Sequence, residues 1–176
     1  MKASTPTLLA LRHLGDLADV RPRIVVDTRE QTPLVFTRLQ AIRGTLRSGD
    51  YSFTGGEESF AIERKSIPDL VSCCAGSNRE RFEHELHRLR GYRFKRLVIV
   101  GNHSDVEKGV YRSNVKPRAV LASLSAWEVR YDCPVVWTPT PEAAALQVES
   151  WAWWFAREIV QDANALLRGS SGPDGQ

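Results

Sequence analysis

A chain of 176 residues with 42% hydrophobic and 26% charged side chains has the size and composition of one globular domain. No apolar run approaches the roughly 18 residues of a membrane span, and His13, Asp16 and Asp19 stand where a signal peptide needs an apolar centre. We therefore expect an intracellular, cytoplasmic protein without a membrane segment. The three cysteines fit neither a disulfide framework nor a Cys-x-x-Cys zinc pattern.

The net charge of +3 is unevenly distributed along the chain. Residues 1–100 contain 17 Lys and Arg against 12 Asp and Glu, whereas residues 101–176 contain 7 against 9. A basic half suggests a surface that meets a polyanion such as nucleic acid, and the faintly acidic half is left for other contacts.

The predicted elements begin with an N-terminal arm, residues 1–22, which carries one short helix over Thr7–Leu14. The apolar run that ends at Asp27 predicts a strand over Arg23–Asp27, followed by a loop that crosses the candidate site over Gln31–Phe36. A β-hairpin follows, because aromatic and aliphatic residues alternate with polar ones on both sides of a Gly-Gly turn at residues 55–56.

The rest of the chain predicts helices alternating with short strands. Helices are expected over residues 67–75, 78–90, 117–130 and 141–167, strands over 97–100 and 135–137, a polar loop over 101–116, and a disordered tail over 169–176. This order describes an α/β domain, residues 23–168, with a mixed central β-sheet flanked by helices.

The hairpin gathers residues that suit phosphodiester chemistry. Its alternation puts Glu63 and Lys65 on one face, and pairing brings Asp50 close to Glu63. Two carboxylates suit Mg²⁺, and a neighbouring lysine can hold or help deprotonate an attacking water. Asp27 and Glu30 add two carboxylates at the mouth of the neighbouring strand. The alternative is that Asp50 is a turn residue and Glu63 and Lys65 form a solvated face.

Three segments together match a family signature. Val26-Asp27-Thr28-Arg29-Glu30, then Gly49-Asp50-Tyr51, then Glu63-Arg64-Lys65-Ser66-Ile67-Pro68-Asp69 resemble the nuclease domain of XPF-type structure-specific endonucleases. Their pattern is a specialised form of the restriction-endonuclease-like Asp…Glu-x-Lys core. The resemblance extends from about Arg23 to the final helix.

The resemblance implies a metal-dependent DNA endonuclease that acts on branched DNA or on junctions between single and double strands. It implies Mg²⁺ or Mn²⁺ ligation by Asp27, Asp50 and Glu63, with the Arg64 carbonyl as a further ligand. Lys65 would orient or activate water. Glu30 would be an outer or second-metal carboxylate, and Arg29 and Arg64 would contact phosphate or buttress the site. Asp69, beyond the start of a helix, would have a structural or outer role.

The helix from Asn78 carries candidate DNA contacts. Arg79, Arg81 and Arg88 would bind phosphates, and their alternative is a solvated face balanced by glutamates. The Arg-x-Arg-Phe-x-x-Glu-Leu run also resembles the stand-alone bacterial and phage branch of this family, although the larger enzymes usually have glutamine where Glu85 stands. His84 and His87 lack a third ligand at a suitable spacing for a metal site.

The last helix has more apolar surface than one sheet face can cover. One stripe is internal and expected to dock on the sheet: Val148, Trp151, Phe155, Ile159, Ala163 and Leu166. A second contains Leu146, Trp153, Val160 and Leu167, with Trp154 beside it. We expect a homodimer through residues 141–167, in agreement with the family, whose nuclease domains work as dimers. The alternative is a contact with the N-terminal arm.

Two other classes of function stay open. One is a non-catalytic subunit that binds DNA or a partner, although such subunits lose the carboxylates that are present here. The other is a resolvase or restriction-like nuclease with the same core. No Gly-x-Gly-x-x-Gly or Walker motif is present, so no nucleotide cofactor is expected. The family's usual helix-hairpin-helix module is missing from the sequence.

Overall fold

The computed structural model describes residues 21–170, with side chains through Leu166. Its centre is one six-stranded mixed sheet in the order β2-β1-β3-β4-β5-β6. The strands are β1 (Ile24–Asp27), β2 (Ala41–Gly44), β3 (Tyr51–Phe53), β4 (Phe60–Ser66), β5 (Phe94–Val100) and β6 (Val135–Thr138). β3 pairs antiparallel with both β1 and β4, whereas β1–β2, β4–β5 and β5–β6 are parallel. The predicted α/β fold with a mixed sheet and flanking helices is confirmed.

Within residues 21–170, five helices flank the sheet: α1 (Ile67–Ser72), α2 (Gly76–Leu89), α3 (His103–Glu107), α4 (Pro117–Tyr131) and α5 (Pro141–Ser170). Ser66 caps α1 as predicted, with its hydroxyl accepting the N–H of Asp69. α3 lies inside the predicted polar loop. Among the described residues, no helix is long and apolar enough to cross a membrane.

Strand β2 was not predicted, because its exposed residues show no apolar alternation. The segment before β2 is held by Glu149, a buried residue of α5. Its Oε1 accepts the N–H groups of Thr37, Arg38 and Leu39 at 2.9, 2.7 and 3.0 Å. One carboxylate oxygen thus satisfies three consecutive backbone donors and directs the chain into β2.

Each face of the sheet has its own core. On one face α5 packs Val148 and Phe155 against Phe53 and Phe60. On the other, the remaining helices bury a larger cluster that includes Phe82 of α2 and Trp127 of α4, whose rings meet edge to face with centroids 5.0 Å apart. The hairpin strand β4 therefore lies in the middle of the molecule, covered on both faces.

Helix α5 is longer than the surface that it covers. A helix of 30 residues spans about 45 Å, roughly twice the length of a seven-residue strand. Ile159 and Leu166, predicted to dock on the sheet, are therefore 37% and 76% exposed. Trp153 and Trp154 are 38% and 53% exposed, outside the internal stripe as predicted.

Two predicted segments fall partly or wholly outside the described residues. The helix over Thr7–Leu14 and nearly all of the arm 1–22 lie outside them. The structure extends α5 through Ser170, so the first two residues of the predicted tail 169–176 are helical. Residues 171–176 lie outside the described part of the chain.

Candidate active site

The hairpin of β3 and β4 brings Asp50 beside Glu63 and Arg64. Tyr51 lies opposite Ile62, and the Asp50 N–H donates to the Ile62 carbonyl at 2.8 Å. One carboxylate oxygen of Asp50 then accepts the Arg64 N–H at 2.7 Å. Gly49, with φ of 79°, enters this strand so close to β4 that an added Cβ would lie 3.0 Å from the Ile62 carbonyl oxygen. Glycine is therefore required before this aspartate.

Glu63 and Lys65 share the face of β4 that packs on α2, as their spacing predicts. Lys65 Nζ donates to Glu63 Oε1 and lies 5.0 Å from the centroid of the Phe82 ring. Glu63 is 1% exposed, and its Oε2 is buried without a hydrogen-bond partner among the described residues. A buried carboxylate oxygen with no partner has a high desolvation cost unless something else binds it.

Burial and mutual charge set the pKa values of these residues. Burial raises the pKa of Asp50 to about 6, although the Arg64 N–H and the Lys65 charge oppose this rise. Burial and the Asp50 charge raise the pKa of Glu63 well above its ordinary value. Burial lowers the pKa of Lys65, but the charge of Glu63 outweighs it and the net shift is upward. One ammonium thus faces two buried carboxylates, which a divalent cation would stabilise in the ionised form.

Arg64 faces the opposite side of β4 and holds the loop that crosses the site. Its Nη2 donates to both carboxylate oxygens of Glu30 at 3.1 and 3.2 Å and to Thr32 Oγ1 at 3.0 Å. Both partners of the ion pair are largely buried. The loop is fastened again where the Leu34 N–H donates to the Tyr51 hydroxyl at 3.0 Å. Arg64 and Glu30 therefore act on the shape of the site through this loop.

The Asp27 carboxylate is engaged elsewhere. Its Oδ1 accepts the Arg29 N–H at 2.9 Å and Arg29 Nε at 2.7 Å. Its Oδ2 accepts the Leu46 N–H at 2.7 Å and Arg29 Nη2 at 3.2 Å. Within residues 21–170, no three His, Cys, Asp or Glu side chains are close enough together to hold one metal ion. The structure thus brings Asp50 and Glu63 together and leaves the Asp27 carboxylate outside the pair.

A cleft of about 400 Å³ opens over these residues. Asp50, Lys65 and Arg64 line it, and Arg29 and Arg81 lie at its walls. Asp69 also lines the cleft, and its Oδ2 accepts the Ser66 hydroxyl at 2.6 Å. Asp69 therefore reinforces the start of α1 while facing the cleft. A structural or outer role for Asp69 stays a prediction.

The arginines of α2 divide into three environments. Arg81 lines the cleft. Arg79 is bound within the protein: it pairs with Glu83 at 3.0 Å, donates to Ser123 Oγ at 2.8 Å and stacks over Trp127. Arg88 Nε donates to Ser48 Oγ at 3.3 Å, beside a separate cavity. The sequence alone does not separate these three residues.

Glu85 of α2 lies close enough to the hairpin carboxylates and Lys65 for its charge to act on them. Its charge contributes to raising the pKa values of Asp50, Glu63 and Lys65. It lies one helical turn from Arg81, which lines the cleft, and three residues from Phe82, which supports Lys65. That helical spacing was the signal that could have identified it.

The fold and the carboxylate–carboxylate–lysine group at the end of a hairpin together define an XPF-type nuclease domain. The model of the ERCC4 domain matches residues 26–150. This chain therefore belongs to the ERCC4 domain family.

Solved structures agree with that assignment. The structure of "XPF from Aeropyrum pernix" superposes with a TM-score of 0.60 at 25% identity, over 88% of this chain and 64% of that one. "XPF from Aeropyrum pernix, complex with DNA" superposes with a TM-score of 0.61 at 26% identity, over 78% and 66%. The chain thus spans just under two thirds of the proteins it resembles. A comparison with curated proteins finds no match.

Proposed function

We propose that the protein is a divalent-metal-dependent DNA endonuclease that hydrolyses phosphodiester bonds in the cleft. The observation that carries the proposal is the buried Glu63 Oε2, without a partner among the described residues, beside the raised pKa of Asp50. Carboxylate oxygens are the ligands that Mg²⁺ and Mn²⁺ prefer, and such ions keep several waters. Asp50 and Glu63 would hold the ion, with the Arg64 carbonyl as a further ligand.

The roles of the protein groups follow from their charge and position. When bound, the metal supplies Lewis-acid polarisation of the scissile phosphate and a more acidic water. Lys65 is a cation in this environment, so it would orient the attacking water and stabilise negative charge on the phosphate. Arg29 and Arg81 would bind phosphates at the cleft walls, while Arg64 and Glu30 hold the loop beside them.

Asp27 has a different role in this proposal. Each of its oxygens already accepts two hydrogen bonds, so it would join the metal only by releasing Arg29 or the Leu46 N–H. We place it behind the site, where it positions Arg29 and the segment that leads to Asp50. Metal ligation by Asp27 stays a prediction for the loaded state.

We propose branched DNA and single-strand/double-strand junctions as the substrates. The resemblance to XPF-type nucleases and the likeness to an XPF structure in complex with DNA support this choice. The test is a cleavage panel of flap, fork, nicked, single-stranded and plain duplex DNA, with Mg²⁺, with Mn²⁺ and with EDTA. We expect metal-dependent cutting of junctions and none by Lys65→Ala. Cutting by Lys65→Ala at the wild-type rate, or undiminished cutting in EDTA, would contradict the proposal.

We further propose a homodimer through α5 in a cytoplasmic protein. Trp153 and Trp154 are exposed side by side, with the Arg157 guanidinium 5.4 Å from each ring. Neighbouring exposed tryptophans are characteristic of interfaces rather than of free surface. Trp153→Glu with Trp154→Glu should give a folded monomer, whereas Val129→Glu, at an exposed site on α4, should leave the mass unchanged. Light scattering at micromolar concentration that finds a wild-type monomer would refute the dimer.

A further inference from the structure

A second cavity, which shares no lining residue with the cleft, includes the two residues just before Gly49–Asp50. It has a volume of about 320 Å³ and is lined by Arg47, Ser48, Glu58, Arg88, Gly91 and Tyr92. Ser48 is two residues before Asp50, so their Cα atoms are at most about 7 Å apart. Any group bound here would therefore lie close to the catalytic carboxylates without entering their cleft.

The cavity presents the buried hydroxyl of Tyr92. Tyr92 is 7% exposed, and among residues 21–170 no well-aligned hydrogen bond reaches its hydroxyl oxygen. Burial raises the pKa of Tyr92, and a contact with the Ser48 hydroxyl opposes that rise, so the Tyr92 hydroxyl keeps its proton. Ser48, beside it, is also buried, and its Oγ accepts Arg88 Nε at 3.3 Å. Two hydroxyls and one guanidinium therefore line one small space.

The charge of the cavity favours an anion. Arg47 pairs with Glu58 at 3.4 Å, but the two side chains are 77% and 73% exposed, and such pairs contribute little. Two arginines and one glutamate line the cavity, so Arg88 adds a positive charge that Glu58 does not neutralise. The carbonyls of His87, Arg88 and Leu89 at the end of α2 accept the N–H groups of residues 90–92, so they are not free acceptors.

We propose that this cavity binds one phosphate of the DNA strand being cut, adjacent to the scissile phosphate or one further along. Arg88, Ser48 and Tyr92 would donate to its oxygens, and Arg47 would exchange Glu58 for it. Guanidinium and hydroxyl donors are the groups that contact DNA phosphates in proteins. Because Ser48 is only two residues from Asp50, a phosphate held here would be a near neighbour of the scissile phosphate on the same strand. The inference rests on the proposed nuclease function and adds a defined subsite to it.

The first test measures DNA binding in EDTA, where no cleavage occurs, across a series of salt concentrations. Arg88→Gln should weaken binding about tenfold and reduce the salt slope by about one, because one phosphate contact is lost. Tyr92→Phe should weaken binding about threefold with an unchanged slope, because it removes one neutral donor. Arg118→Gln, an exposed arginine of α4, is the matched control and should have no effect. Arg88→Gln and Tyr92→Phe binding both indistinguishable from the control would overturn the proposal.

The second test uses DNA with a single neutral methylphosphonate at each position around the cut. One position, next to the scissile phosphate or one further along, should weaken wild-type binding clearly more than Arg88→Gln binding, since that variant keeps only the contacts from Ser48, Tyr92 and Arg47. Position-independent losses would overturn the subsite. Arg88-dependent binding by a wild type that cuts no DNA would refute the nuclease function and keep the subsite. DNA cutting that depends on neither Arg88 nor Tyr92 would keep the nuclease function and refute the subsite.

Discussion

Asp27 and Asp50 lie side by side at the ends of neighbouring strands, yet their surroundings shift the pKa of the two carboxyl groups in opposite directions. The Asp27 N–H even donates to the Asp50 carbonyl at 2.9 Å. The Asp27 corner, formed with Arg29 and Leu46, gives that carboxylate four hydrogen bonds. The Asp50–Glu63 pair receives one backbone N–H and one lysine.

The difference appears in the pKa values of the two aspartates. Burial opposes ionisation at Asp27, but the bonds from Arg29 and Leu46 bring its pKa below 3.8. At Asp50 burial prevails, and the pKa rises to about 6. A satisfied buried carboxylate stabilises a fold, whereas an unsatisfied pair is maintained at a cost and indicates a functional site. Nearness to the cleft alone would not have distinguished them.

The strongest test of this comparison is the rate of DNA cleavage. Asp50→Asn should lower the rate by at least about 10³-fold, because it removes a proposed metal ligand. Asp27→Asn should lower it by about tenfold or less, since its carboxylate acts through Arg29 and Leu46. Single-turnover cleavage measures both, at a temperature where circular dichroism shows both variants folded. Equal losses of cleavage rate in the two variants would show that Asp27 and Asp50 do not differ in their roles.

Stability should change in the opposite sense. Asp27→Asn should lower the free energy of unfolding by about 2–3 kcal/mol, because it breaks buried charge-assisted hydrogen bonds. Asp50→Asn should raise it by about 1 kcal/mol in EDTA, because it removes a poorly compensated buried charge. Urea denaturation at pH 7 provides the measurement, and Glu158→Gln, at an exposed site of α5, is a control. Destabilisation by Asp50→Asn would place that carboxylate among the structural ones.

The pH dependence separates the same two groups. An Asp50 pKa raised from 3.8 to about 6 means that the folded state binds the extra proton in that window, so stability falls as pH rises through it. The stability gained by Asp50→Asn should therefore be near zero below pH 3.8 and reach its plateau above about 6.5. Asp27 behaves in reverse: its contribution is present above 3.8 and is lost as pH falls below its lowered pKa.

Denaturation of both variants and wild type from pH 3.5 to 7.5 measures these differences. Added Mg²⁺ should raise wild-type stability above pH 6 and leave Asp50→Asn nearly unchanged. A gain from Asp50→Asn that is constant across this range would mean that Asp50 has its ordinary pKa in the folded protein.

The smallest expected effect extends the comparison to cations. Arg81→Gln should weaken DNA binding a few-fold and lower the salt slope by about one, because Arg81 faces the cleft. Arg79→Gln should leave DNA binding unchanged and reduce stability by about 1 kcal/mol, because its partners are Glu83 and Ser123. Equal salt slopes for wild type and Arg81→Gln would show that Arg81 is a solvated surface residue that does not contact DNA.

Much of the site could be predicted because it is local in sequence. Asp50, Glu63 and Lys65 belong to one hairpin, whose apolar alternation and Gly-Gly turn are visible in the sequence. The capping of α1 by Ser66 was equally visible, since it depends on four adjacent residues. The prediction for the N-terminal arm, in contrast, lies almost wholly outside the described residues.

What sequence did not predict depends on contacts between distant residues. The bond from the Leu46 N–H to Asp27 Oδ2 joins residues nineteen apart, so no local pattern shows it, and metal ligation by Asp27 stays a prediction. The same holds for Arg79, whose partner Ser123 lies on α4. β2 has no apolar pattern of its own, because its pairing with β1 and the carboxylate of Glu149 position it.

The hairpin turn at residues 54–59 can be lengthened without moving the site residues. The register of the two strands is set by the Asp50 N–H on the Ile62 carbonyl and by Ser52 Oγ on the Phe60 carbonyl, both on the site side of the turn. Gly55 at the turn has nothing within 4 Å of an added Cβ. Residues inserted there would lengthen an exposed loop at a small entropic cost and leave the spacing of the two carboxylates unchanged. The turn is therefore a natural place to insert a peptide or a whole domain without dismantling the chemistry.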